Sequence, residues 1–147
     1  MRIFLLIVAA MALLLLALMV YVRFAPTDVA RWHQIRAVDQ PGDRAGPASF
    51  TAVRRVTAPA DAVLVAIEQR ALATPRTRRL AGGADEGMIT FQTRSLLWGF
   101  PDYTTVSVQG DLVVLFGRLR FGRSDLGVNK ARIQSWLKAL GPLTEPL

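Results

Sequence analysis

The chain has no cysteine, a single histidine and only two lysines against sixteen arginines. Without thiols it can form neither a disulfide nor a thiolate metal centre. One imidazole, His33, cannot build a multi-histidine site, and scattered carboxylates are not a ligand set. No metal or other cofactor is therefore expected. The nucleophile-elbow motif is missing, and so is any recognised nucleic-acid motif to accompany the net charge of +7. Nucleic acid is not an expected partner. There is no internal repeat. Charge itself is missing from Ile3 to Val22, IFLLIVAAMALLLLALMVYV.

As a helix rising 1.5 Å per residue, that run is about 30 Å long, the thickness of a bilayer's hydrocarbon core. A cleaved signal has a shorter apolar core, roughly 7–15 residues, and a small-residue cleavage site. The nearest candidate here, Ala25, is flanked by Arg23 and Pro26. The expectation is an uncleaved, single-pass anchor over residues 1–23, in an inner or plasma membrane. Tyr21 suits the interfacial aromatic belt, and Arg23 can snorkel to the headgroups. Two orientation signals oppose each other. Arg23, Arg31 and Arg36 outnumber Arg2, which favours an inward-facing domain, while the two-residue head before an apolar core favours export. Export is the expectation.

Residues 24–147 carry 16 basic and 11 acidic side chains, a net +5. Arginine is favoured where planar, bidentate contact with carboxylate or phosphate matters, although codon usage in a GC-rich genome gives the same excess. Residues 24–49 read as a linker. Thr27 is the expected cap of a short turn carrying Trp32 and His33, and QPGDRAGP interrupts regular structure. Trp32 is expected on the membrane interface or the domain, and His33 on the surface.

A folded domain is expected over 50–141, with a tail at 142–147. FTAVRRVT, TRRLAG, MITFQTRS, YTTVSV and DLVVLFGRLRFG have strand character. Val63, Ala66, Ile67 and Ala71, and then Ile133, Trp136, Leu137 and Leu140, mark two helices with one apolar face each. Short turns force antiparallel pairing, and two such helices cover one sheet face. The predicted fold class is α+β: a transmembrane helix, then a two-layer sandwich of about four to five antiparallel strands with two helices on one face. Arg94, Arg118 and Arg120 fall on the other face.

FGRSDLGVNKAR, residues 121–132, joins the last strand to the last helix. Ser124 or Asp125 can cap that helix, Asn129 lies in the same corner, and Arg118, Arg120, Arg123, Lys130 and Arg132 ring it. With Arg94 these five form the candidate anion-binding set. A catalytic role for Ser124 and Asp125 lacks a nearby histidine base. In WGFPDY, Asp102 is expected to pair with Arg94 or a later arginine, and Trp98, Phe100 and Tyr103 to fill the core edge.

TRSLLWGFPDYTTVSV, a long strand and GRSDLGVNKARI resemble the family catalogued as domain of unknown function 1499, over roughly Phe50 to Leu140. Gly122, Ser124, Asp125, Gly127, Asn129, Lys130 and Arg132 carry the family's closing signature. Many relatives have an acidic pair where this chain has Asp102 and Tyr103. The resemblance implies a membrane-associated or exported domain with no assigned activity.

Three functions stay open. One is a noncatalytic, membrane-anchored module for an anionic group, a lipid headgroup or an acidic partner. The second is a hydrolase acting on a membrane ester or phosphoester through Asp102 and Asp125. The third is a scaffold subunit of a membrane complex with a membrane-protein partner. The balance is against an enzyme.

Overall fold

The apolar N-terminal run folds as α1, Arg2–Phe24. The computed structural model describes residues 1–146. Its most apolar 18-residue window has a mean hydropathy of 3.2 and nothing in it is buried. A side-chain set that is apolar on every side and covered by no protein is compatible with a membrane span or a signal sequence.

The rest is α+β, as the residue pattern predicts, with six strands rather than four to five. They are β1 (Gly42–Gly46), β2 (Ser49–Arg55), β3 (Thr77–Gly83), β4 (Met88–Arg94), β5 (Pro101–Gln109) and β6 (Leu112–Leu119). All pair antiparallel, in the order β1-β2-β6-β5-β4-β3. Helices α3 (Ala60–Leu72) and α4 (Val128–Leu140) cover one face. Alternation along the strands sends Ile89, Phe91, Val106, Val113 and Leu115 to that face, where they meet Val63, Leu64, Ile67, Ile133 and Trp136 in one core. Gly117 faces the same way, and α4 lies so close over β6 there that a side chain has little room. A Cβ there would come within 3.0 Å of Asn129 Oδ1 and Ile133 Cδ1.

The reading of 24–49 as a linker needs correction. GDRAG is β1, an edge strand in full register with β2. Residues 25–38 form a strap across the sheet face opposite the helices. One short turn, α2 (Val29–Trp32), lies within it, capped by Asp28 rather than Thr27. Trp32 is buried and stacks on Tyr103 with ring centroids 4.1 Å apart. Half-buried His33 places Nδ1 2.9 Å from Thr90 Oγ1, so it is not a plain surface residue. Thr27 Oγ1 meets Tyr103 Oη at 3.1 Å. Ile35 and Val38 pack on Val53, Leu112 and Val114.

Candidate functional site

The corner signature builds a clamp. Gly127 adopts φ 82 and α4 starts at the next residue. The Asp125 carboxylate accepts from the backbone N–H groups of Gly127 (3.1 Å) and Asn129 (3.0 Å), two donors that the first helical turn cannot satisfy internally. Ser124 Oγ accepts from the Leu126 N–H at 3.3 Å. Asn129 is fully buried, and its Oδ1 accepts from Arg132 Nη1 at 2.8 Å. Arg132 Nη2 then reaches Asp102 on β5 at 3.2 Å. Of the polar residues singled out in the sequence, Ser124 and Asp125 thus shape and cap the start of α4, while Asn129 and Asp102 meet through Arg132 and join α4 to the sheet.

The two carboxylates respond oppositely to their surroundings. Burial raises the Asp102 pKa, and the Arg132 charge only partly offsets that. For Asp125 burial also acts upward, but donors from Asn129 and Gly127 outweigh it and hold the carboxyl below its ordinary 3.8. A carboxyl lowered on folding adds stability above its unfolded pKa, and that stability is lost as pH falls through the folded value. Asp125→Ala is therefore expected to cost about 1 kcal/mol at neutral pH. The gap from wild type should close below pH 3.8. Urea unfolding at both pH values checks it, and equal midpoints at neutral pH would show that Asp125 is not a cap.

The six candidate anion-binding residues separate into three groups. Arg118 and Arg120 lie under the strap. Arg118 donates to the carbonyl oxygens of Gln34 and Trp32 and lies over the Phe116 ring, and burial pushes its guanidinium down to about 10. Arg120 donates to the Pro26 carbonyl at 2.7 Å and to the hydroxyls of Thr27 and Tyr103. Both sense backbone dipoles of their own chain. Arg123 is exposed on the corner, and exposed Lys130 lies over the Phe50 ring.

Arg94 and Arg132 line a cleft of about 460 Å³ between the C-terminal end of α3, the start of α4 and the end of β4. Arg70 and Arg76 line it with them. A second hollow of about 370 Å³ adjoins it, sharing Arg76, Arg94, Ser95 and Leu96 and adding Arg23 and Arg78. Cavities of several hundred Å³ are the size that holds small ligands. Among the described residues neither hollow has a carboxylate in its wall. Among the described residues only Arg132, of these six arginines, has a carboxylate within ion-pair distance.

Backbone geometry fixes this cluster. Thr74–Thr77 is a turn closed by Thr77 N–H to Thr74 O at 3.2 Å, with Pro75 and then Arg76 at its centre. Arg76 has φ 59, a conformation that glycine normally supplies after proline in such a turn. Its Nε donates to the Arg94 carbonyl and its own carbonyl accepts from the Arg94 N–H. Arg94 in turn donates to the carbonyl oxygens of Gly99 (2.7 Å), Arg23 (3.1 Å) and Val22 (3.4 Å), tying the last turn of α1 to the sheet. Burial, the Arg78 charge and then Arg23 and Arg120 lower its pKa, against a raising effect of Tyr103.

The sequence reading missed Arg23, Arg70, Arg76 and Arg78 at this site. The available signal was the density of arginine around the α3–β3 turn, Arg70, Arg76, Arg78 and Arg79 within ten residues. Among the described residues no cluster of three or more His, Asp or Glu converges as a metal site.

No curated protein matches the chain closely enough to lend it a role. The profile of the family described as "Protein of unknown function (DUF1499)" matches residues 25–140. That match starts within the strap, so the segment crossing the sheet belongs to the family's domain and not to a spacer before it. Covering well over half of the sequence, from the strap through the corner signature to the end of α4, it makes this chain a member of the DUF1499 family.

Proposed function

We propose that the protein is a single-pass, membrane-anchored binding module that takes the phosphate of an anionic lipid headgroup into its arginine-lined cleft. The observation that carries this reading is five arginines, Arg23, Arg70, Arg76, Arg78 and Arg94, with no carboxylate partner among the described residues, around two adjoining hollows of which the second meets the last turn of α1. Guanidinium groups bind phosphate through paired, charge-assisted hydrogen bonds. A cleft wall without acids leaves that charge for a ligand to neutralise. With α1 in the bilayer, the cleft lies where headgroup phosphates are concentrated. A hydrolase is less well supported, because Asp102 is committed to Arg132 and Asp125 to the helix cap.

Arg76 offers a clean test. Its backbone already has the glycine conformation, so Arg76→Gly removes a guanidinium and its exposed Nε bond to the Arg94 carbonyl while relieving about 1 kcal/mol of left-handed strain. Full-length protein in detergent is expected to retain phosphatidylglycerol in preference to phosphatidylcholine by native mass spectrometry. Arg76→Gly should unfold at no lower urea concentration and bind the anionic lipid about tenfold more weakly, the loss of one charge-assisted contact. Equal retention of the two lipids by the wild-type protein would overturn the proposal.

A further inference from the structure

The Ser95–Phe100 loop puts bulky apolar side chains into solvent. Leu96 is 70% and Leu97 74% exposed, and half-buried Trp98 follows them. The loop is nevertheless held in shape. Ser95 N–H donates to the Phe100 carbonyl at 2.9 Å, and Phe100 N–H donates to Ser95 Oγ at 3.0 Å. Gly99 turns through φ 72, and its carbonyl accepts from Arg94. Trp98 stacks on Phe100, with ring centroids 6.0 Å apart. Ordered backbone presenting uncovered leucines is the form of a contact surface, not of a frayed connection.

Its position identifies what covers it. Arg23, in the last turn of α1, donates from Nη2 to the Leu97 carbonyl at 3.3 Å. The Arg23 side chain also packs on Gly99, where an added Cβ would meet its Cγ at 3.1 Å. The loop is therefore level with the end of the apolar helix. Tyr21 and Phe24, exposed on that last turn, continue the same apolar belt. Leu96 also lines both arginine hollows, so the belt runs directly into the cationic cleft. Leucine and tryptophan beside arginine is the composition that settles at a membrane interface, rings and aliphatic tips inward and guanidinium groups among the headgroups.

We infer that the Ser95–Phe100 loop is a second membrane contact: Leu96, Leu97 and Trp98 enter the lipid interface beside α1 and fix the domain so that its cleft opens among the headgroups. This rests on α1 being a membrane anchor. A single span can tilt in the bilayer and carry the attached domain with it, and a second contact beside it limits that tilt.

The chain has no native cysteine, so single-site spin labels report position cleanly. The full-length protein carries a label after Leu97→Cys, Leu14→Cys or Arg44→Cys, in mixed phosphatidylglycerol and phosphatidylcholine vesicles. Leu14 lies within α1, and Arg44 is exposed on β1 at the far edge of the sheet. Collision with oxygen, which dissolves in lipid, is compared with collision with a water-soluble nickel chelate. The label at 97 is expected to favour oxygen, as at 14, while the label at 44 favours nickel. Nickel preference at 97 with oxygen preference at 14 would overturn the loop contact and leave the anchor standing. Shielding of the label at 97 from both reagents would place a protein surface there and overturn it as well. Nickel preference at 14 would remove the anchor, and the inference with it.

Discussion

Trp32→Ala is expected to lower the unfolding free energy of the domain by about 3 kcal/mol, at the low end for truncating a buried tryptophan. Trp32 is 9% exposed although it lies in a segment with almost no regular structure. Its ring stacks on the Tyr103 ring, and the Arg118 guanidinium lies 5.3 Å from its centroid. Its carbonyl accepts from Thr105 Oγ1 at 3.0 Å and from Arg118. Removing the indole uncovers Tyr103 and Thr105, both fully buried, and lets water reach a guanidinium that donates to strap carbonyls and the Thr105 hydroxyl. Urea unfolding of the full-length protein measures the loss. A change below about 1 kcal/mol, the ordinary level for a surface substitution, would show that the strap is peripheral to the fold.

The strap was also the part of the fold least legible in the sequence, for a physical reason. Strands such as MITFQTR announce themselves because one parity must be apolar. Ile89 and Phe91 face the helices, and Thr90 and Gln92 face away. Helices α3 and α4 do the same through Val63, Ile67 and Ala71, and through Ile133, Trp136 and Leu140. The strap has no period. Side chains of the sheet, Arg94, Thr105, Gln109, Arg118 and Arg120, bind carbonyl oxygens of the chain from Val22 to Arg36, so the information lies in the partner strands. The other missed element, β1, is an edge strand of small and charged residues that pairs through its backbone and buries almost nothing. Its sequence had no alternation to read.

The site divides along the same line. The corner was legible because Asp125, Asn129 and Arg132 lie within eight residues, close enough for helical spacing to bring them together. The arginine cleft was not, because it forms where the ends of α3, β4, α4 and α1 meet. Arg94 and Arg132 were singled out as candidates, but Arg23 and Arg70 are brought beside them only by the tertiary fold.

Arg132→Ala is expected to cost about 3 kcal/mol at neutral pH, the range for removing one partner of a buried ion pair. The Arg132 and Asp102 side chains are 9% and 11% exposed, so water cannot replace the lost guanidinium easily. The loss also strands Asn129, whose Oδ1 is bonded to Arg132 and whose Nδ2 has no partner among the described residues. The sign of the pH dependence separates this mechanism from simple loss of packing. Burial already raises the Asp102 pKa with Arg132 present, and without that cation it must rise further. A carboxyl raised on folding binds its proton more readily in the native state, so stability increases as pH falls from above the folded pKa toward the unfolded 3.8. The Arg132→Ala deficit should therefore shrink on acidification through that window. In Asp102→Asn/Arg132→Ala, which has no buried carboxyl to titrate, this pH dependence should vanish and part of the neutral-pH loss should be recovered. Urea midpoints for the two variants across the acid range decide it. A deficit in Arg132→Ala that stays constant with pH would mean that Arg132 acts through its aliphatic contacts in the corner, not through its charge on Asp102.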